Sequence, residues 1–117
     1  MKTSIIRAGE RYFGVEITAD GRLVVAERGQ GSRVLTAAFP AGDGGTQALR
    51  AHIERESGHP HVCITACGAA ALALATALIP VPGVEVTLVS ARAIGGETSG
   101  APEGRAERLA RLAERLF

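Results

Sequence analysis

Residues 11–39, RYFGVEITADGRLVVAERGQGSRVLTAAF, decide the fold. Within them Arg11 to Thr18 alternates and is rich in β-branched and aromatic residues, and Ala19-Asp20-Gly21 supplies turn chemistry before a second extended run, Arg22 to Glu27. This pattern predicts a hairpin. Arg28 to Ser32, RGQGS, is a further turn and Arg33 to Phe39 a third strand, so the chain is expected to open as a three-stranded antiparallel meander.

Beyond residue 39 the period changes. Pro40 to Gly45, PAGDGG, breaks the strand pattern, and Thr46 is a candidate cap for a helix with Leu49 and Ile53 inward and Arg50 and Glu54 paired at i,i+4. Gly58 is expected to end that helix in a left-handed cap. His61 to Ala66 reads as a central strand, apolar on both faces and so covered on both sides. Gly68 opens an Ala- and Leu-rich helix to Ile79, apolar nearly all round and therefore expected to be buried, which Pro80 and Pro82-Gly83 stop. Val84 to Val89 is a fifth strand, parallel to its predecessor through a crossover. Gly95 to Gly104 reads as a flexible loop, and Arg105 to Leu116 as an amphipathic helix with Leu109, Leu112 and Leu116 on one stripe and Arg108, Arg111 and Arg115 beside it. The expected order is β-β-β-α-β-α-β-α: an α/β fold with a mixed five-stranded sheet, helices packed on it, and the arrangement of a ribonuclease-H-like domain.

The chain has 117 residues, which suits a single domain spanning 1–117 with no need of a metal or disulfide staple. With 46 % hydrophobic but only 3 % aromatic residues, the core must come from Val, Leu, Ile and Ala around Tyr12, Phe13 and Phe39. A net charge of +1 supplies no global attraction to a polyanion, so nucleic-acid binding would have to be local. Lys2 is the only lysine, and the arginines that dominate offer planar forks suited to phosphate. Cys63 and Cys67 read as small buried hydrophobes: two cysteines are too few for a zinc site, and i,i+4 positions on a strand lie too far apart for a disulfide. MKTSIIRAGERYFG lacks the apolar core of a signal peptide, and Ala69 to Ile79 is too short to cross a bilayer. A cytoplasmic protein without a membrane partner is the expectation.

Several short motifs carry a resemblance. Gly14-Val15-Glu16-Ile17-Thr18-Ala19 looks like the G-I-D-V-S-K opening of the DEDD-type insertion-sequence transposases, whose N-terminal domain resembles a Holliday-junction resolvase. Thr65-Ala66-Cys67-Gly68 is similar to the E-A-T-G turn of that family, and Val89-Ser90-Ala91 stands where it has V-N-P. Gly100 to Ala113, GAPEGRAERLARLA, lies without gaps on its K-T-D-R-I-D-A-x-x-L-A pattern. The resemblance implies a two-metal nuclease site built from four acids, the first in the middle of strand one. Here those positions hold Glu16, Thr65, Pro102 and Arg105. One acid is lengthened and three are replaced, so the positions do not assemble a two-metal site.

Other acids are poorly placed to substitute. Asp20 falls in a hairpin turn and Asp43 at a helix entrance, and only Glu85 and Glu97 are expected near the C-terminal edge of the sheet. Ser90 and Ser99 lack a partnered His, since His52, His59 and His61 cluster elsewhere. The glycine-rich phosphate loop of an actin-like ATPase is missing after strand one. The leading expectation is a non-catalytic, transposase-derived domain that binds structured RNA or DNA or serves assembly, with Arg105, Arg108, Arg111 and Arg115 as candidate phosphate contacts. A solvated helix surface explains the same arginines. Two alternatives stand beside it: a homo-oligomer formed through the C-terminal helix, and a weak nuclease in which Glu16 holds Mg²⁺. No cofactor is expected otherwise, and Glu16 also reads as a hydrogen-bonded strand residue.

Overall fold

Strand β1 (Glu10–Ile17) is the centre of the sheet, since it pairs antiparallel with β2 (Leu23–Arg28) on one side and parallel with β4 (His59–Thr65) on the other. The structure, a computed structural model, describes residues 10–28, 34–55, 58–66, 68–90 and 101–116. β3 (Val34–Phe39) continues the meander outside β2, and β5 (Glu85–Val89) pairs parallel with β4. Three helices complete the described chain: α1 (Asp43–Glu54) before β4, α2 (Ala69–Leu78) between β4 and β5, and α3 (Pro102–Leu116) after β5. The order across the sheet, β3-β2-β1-β4-β5, differs from the order along the chain. The meander has filled one side of β1, and the chain returning from α1 pairs at the other side of β1.

Strand alternation sends successive side chains to opposite faces. Phe13, Val15, Leu23, Val25, Val62 and Ile64 point to one side, where Leu49 and Ile53 of α1 and Leu74 and Leu78 of α2 meet them in the main core. On the other side α3 lies across β1, β2 and β4, with Ala106 and Ala110 against Val24 and Ala26, and Leu109 and Ala113 against Tyr12 and Cys63. Gly14 is what lets α3 come so close. A Cβ built there would sit 2.5 Å from the Ala110 nitrogen and 2.6 Å from Leu109 Cβ, and closer still to the Ala106 carbonyl oxygen.

Several element boundaries differ from the sequence expectation. α1 begins at Asp43 and Thr46 is inside its first turn, because Gly42 at φ 89° turns the chain into the helix without any side-chain cap. That helix ends at Glu54, and Gly58, at φ 135°, leads into β4 instead of capping it. α3 starts at Pro102, not Arg105, since proline's fixed φ and missing N–H suit the first helical position. Residues 102–104 are therefore helical, while 91–100, which hold the rest of the expected loop with Glu97 and Ser99, lie outside the described residues, as do 29–33 and Cys67.

One burial expectation is also corrected. α2 is buried on one face only (Ala71, Leu74, Ala75, Leu78), with Leu72 and the capping residue Ile79 exposed, because it covers the sheet as an outer layer and no described element lies above it. In α3 the small face Ala106, Leu109, Ala110 and Ala113 is buried, whereas Leu112 is half-buried and Leu116 exposed. The close approach over Gly14 brings Ala106 and Ala110 onto the covered face beside Leu109 of the leucine stripe. No described helix is long and apolar enough to cross a membrane.

Candidate functional site

Three of the four positions singled out by the resemblance meet in space. Glu16 is the last buried residue of β1, nearer its C-terminal end than its middle, and Thr65 closes the neighbouring parallel strand β4. The parallel register aligns Val15 with Ile64, so the next residue of each strand falls side by side on the α3 face. The Thr65 hydroxyl donates to Glu16 Oε1 at 2.9 Å. From above, Arg105 in the first turns of α3 places its Nε 3.1 Å from Glu16 Oε2. Their side chains are only 11 % (Glu16) and 18 % (Arg105) exposed, so this pair is far better shielded from water than a surface salt bridge. Pro102 opens α3 one turn before Arg105 and offers no ligand atom.

Both oxygens of Glu16 are thus engaged, one by a hydroxyl and one by a guanidinium. A divalent cation would need those lone pairs and would be repelled by the adjacent positive charge. Among the described residues no group of three His, Cys, Asp or Glu side chains is placed to hold a metal ion. Glu85 does not reach this site. It opens β5 opposite His61, which puts it at the N-terminal end of the parallel strands, the reverse of the expected edge.

The candidate phosphate-binding arginines separate into two kinds. Arg105 is committed to Glu16, and Arg108 is half-buried beside it on the helix. Arg111 and Arg115 are exposed. Farther along α3, Glu114 Oε1 accepts from Arg28 of β2 at 3.0 Å and fixes the end of the helix on the sheet. Arg105 and Glu16 were each noted in the sequence for a separate role. Their opposite charges were legible in the sequence, but that they meet is shown by the structure alone.

Two polar clusters were not anticipated. At the start of β1 the buried Arg11 donates from Nε to Glu27 Oε2 and from Nη1 to the Ile53 carbonyl, both at 2.9 Å, and its guanidinium lies 4.9 Å from the centre of the Phe13 ring. His52 Nε2 lies 3.4 Å from the other oxygen of Glu27, so β1, β2 and α1 share one polar network. On the α3 face His61 stacks on Tyr12 at 5.3 Å between centroids, and Tyr12 donates its hydroxyl to Glu10 at 2.6 Å. His61 Nε2 is 3.7 Å from Glu10 and Nδ1 4.0 Å from Glu85. Nearby Cys63 is buried with a free thiol, and burial raises its pKa to about 11. In the hairpin, exposed Asp20 is held below the usual carboxylate range first by the Thr18 hydroxyl and then by Arg22.

A groove of about 370 Å³ opens between α1 and α2, lined by Ile17, Leu23, Thr46, Gln47, Ala70 and Ala77 among others. It lies on the opposite face of the sheet from Glu16. Compared with known proteins, the chain matches no protein-family model and no curated protein.

Proposed function

We propose that this chain is a non-catalytic domain of ribonuclease-H-like type, akin to the resolvase-like domain of DEDD transposases, in which an internal arginine has replaced the metal ions and nucleic-acid binding is the role retained. The observation that carries the reading is the contact of Arg105 with Glu16, 3.1 Å long, beside the 2.9 Å hydrogen bond from Thr65. A guanidinium satisfies the charge of a carboxylate as a metal would, but it activates no water and stabilises no leaving oxygen. The antiparallel meander followed by parallel strands, in the order β3-β2-β1-β4-β5, fits such a domain. The weak-nuclease alternative is disfavoured by the same contact, because the one acid it relies on is already paired.

Binding would fall to the outer arginine face of α3, where Arg111 and Arg115 are exposed and Arg108 half-buried. The test is affinity for duplex DNA and for a structured RNA at two salt concentrations. Affinity that falls with salt, and whose salt slope shrinks when Arg111 and Arg115 become alanine, supports the reading. No binding to either nucleic acid removes the binding role. Cleavage of either substrate in Mg²⁺ or Mn²⁺ that disappears in Glu16→Ala removes the non-catalytic one.

A further inference from the structure

Three of the large hydrophobic side chains that the fold leaves exposed converge on one margin of the molecule: Leu72 at 61 %, Ile79 at 65 % and Leu88 at 42 %. Leu72 and Ile79 are seven residues apart in sequence, two helical turns, so they share a flank as α2 turns by about 100° per residue. It is the flank opposite Ala70 and Ala77, which line the groove toward α1. Leu72 and Ile79 therefore look away from α1, over the outer edge of the sheet. That edge is β5, whose only strand partner among the described residues is β4. Leu88 alternates with Thr87 and shares its face with Val86, which packs on the main core, so it stands on the same side of the sheet as α2.

This margin lacks the usual protection. From Val62 to Val84 the sequence contains no charged residue, whereas outward faces of surface helices and exposed sheet edges normally carry charges that prevent association. Strand β5, EVTLV, holds neither a proline nor a lysine.

We propose that this margin joins two copies of the chain, β5 pairing antiparallel with β5 of the second copy and the two α2 helices packing flank to flank. The sequence of β5 supports a second copy as the occupant because it is self-complementary. An axis through Thr87, perpendicular to the sheet, sets Val86 of each copy against Leu88 of the other, covering the exposed leucine on the α2 side. It sets Glu85 against Val89 and so opposes no like charges. A strand of five residues is too short an edge for the roughly 1,200 Å² of a stable interface, and the α2 flank is what enlarges it. The resulting ten-stranded sheet would leave both α3 surfaces, and the arginine face on them, uncovered. The inference is independent of the proposed nucleic-acid role.

Light scattering and sedimentation of the full chain without nucleic acid test it. The expected result is a dimer, with Leu88→Arg and Leu72→Glu each weakening association by at least about tenfold while circular dichroism stays unchanged. Leu35→Arg on the opposite sheet edge and Leu116→Arg at the end of α3 should leave the dimer intact. A Thr87→Cys chain should form an inter-chain disulfide that the unsubstituted chain does not, since directly opposed residues of paired strands meet the required spacing. A protein that stays monomeric at millimolar concentration overturns the proposal. So does a dimer that dissociates on Leu35→Arg or Leu116→Arg but not on Leu88→Arg. A dimer that gives no Thr87→Cys cross-link overturns the antiparallel pairing.

Discussion

The two faces of the sheet are built on opposite plans. Toward α1 and α2 the strands present Phe13, Val15, Leu23, Val25, Val62 and Ile64, and the helices answer with Leu49, Ile53, Leu74 and Leu78. Toward α3 they present Gly14, Ala26, Cys63, Glu16, Arg28 and Thr65, and the helix answers with Ala106, Ala110, Ala113, Arg105 and Glu114. The first face is held by volume. The second is held by close backbone approach with an ion pair at each end. At one end Arg105 and Thr65 engage both oxygens of Glu16 and form a structural clasp.

The comparison predicts different sensitivities, the largest on the volume-filled face. Phe13→Ala should lower unfolding stability by about 3–5 kcal/mol in urea denaturation, through lost burial and the cavity left behind. A loss near that of a surface substitution would show that this face is not the main core. On the other face the vulnerable change is an addition. Gly14→Ala should cost about 3 kcal/mol and displace α3, because the new methyl meets helix backbone that cannot rotate away. Its signature is loss of the NMR contacts between α3 and β1 while those of α1 and α2 persist.

The clasp itself should give a smaller effect. Arg105→Ala strands the Glu16 carboxylate, and a loss of about 1–3 kcal/mol is expected. Adding Glu16→Gln should recover part of it, with a coupling energy of about 0.5–3 kcal/mol in a double-mutant cycle. Strict additivity would mean that the pair contributes nothing. By contrast Arg50→Ala, which breaks the half-exposed pair with Glu54 at 3.4 Å, should change stability by no more than about 0.5 kcal/mol.

Cys63 sharpens the comparison through pH. Burial raises its pKa from 9.0 to about 11, so the folded protein holds this proton more tightly than the unfolded chain does. The stability it supports is complete below pH 9.0 and is lost progressively as pH rises toward about 11. Denaturation midpoints measured across that window should fall with pH, and should fall less steeply in Cys63→Ala. Equal slopes for the two proteins would place the alkaline loss elsewhere.

The strand and helix pattern was legible because its signals are local. Alternation in RYFGVEIT, the Ala19-Asp20-Gly21 turn and the spacing of Leu49 and Ile53 each act within a few residues, and the corresponding elements are present. The misplaced starts of α1 and α3 share one cause: Gly42 and Pro102 act through backbone conformation, not through a side-chain cap. Burial was harder to read. α2 is apolar nearly all round, and only the absence of a layer above it among the described residues decides that Leu72 and Ile79 remain exposed. For α3 the sequence shows a leucine stripe without showing what covers it; in the structure Leu109 is covered together with Ala106, Ala110 and Ala113 over Gly14.

By itself, then, the sequence determined the identity and order of the elements, the apolar strands and the presence of Glu16, Thr65, Pro102 and Arg105 at their places along the chain. Only the tertiary structure decided what those residues do. Glu16 and Arg105 are far apart along the chain, and neither local propensity nor spacing sets the distance between them. It is set by the parallel register of β1 and β4 and by the depth to which α3 sinks over Gly14, and that geometry turns two isolated charges into one buried pair.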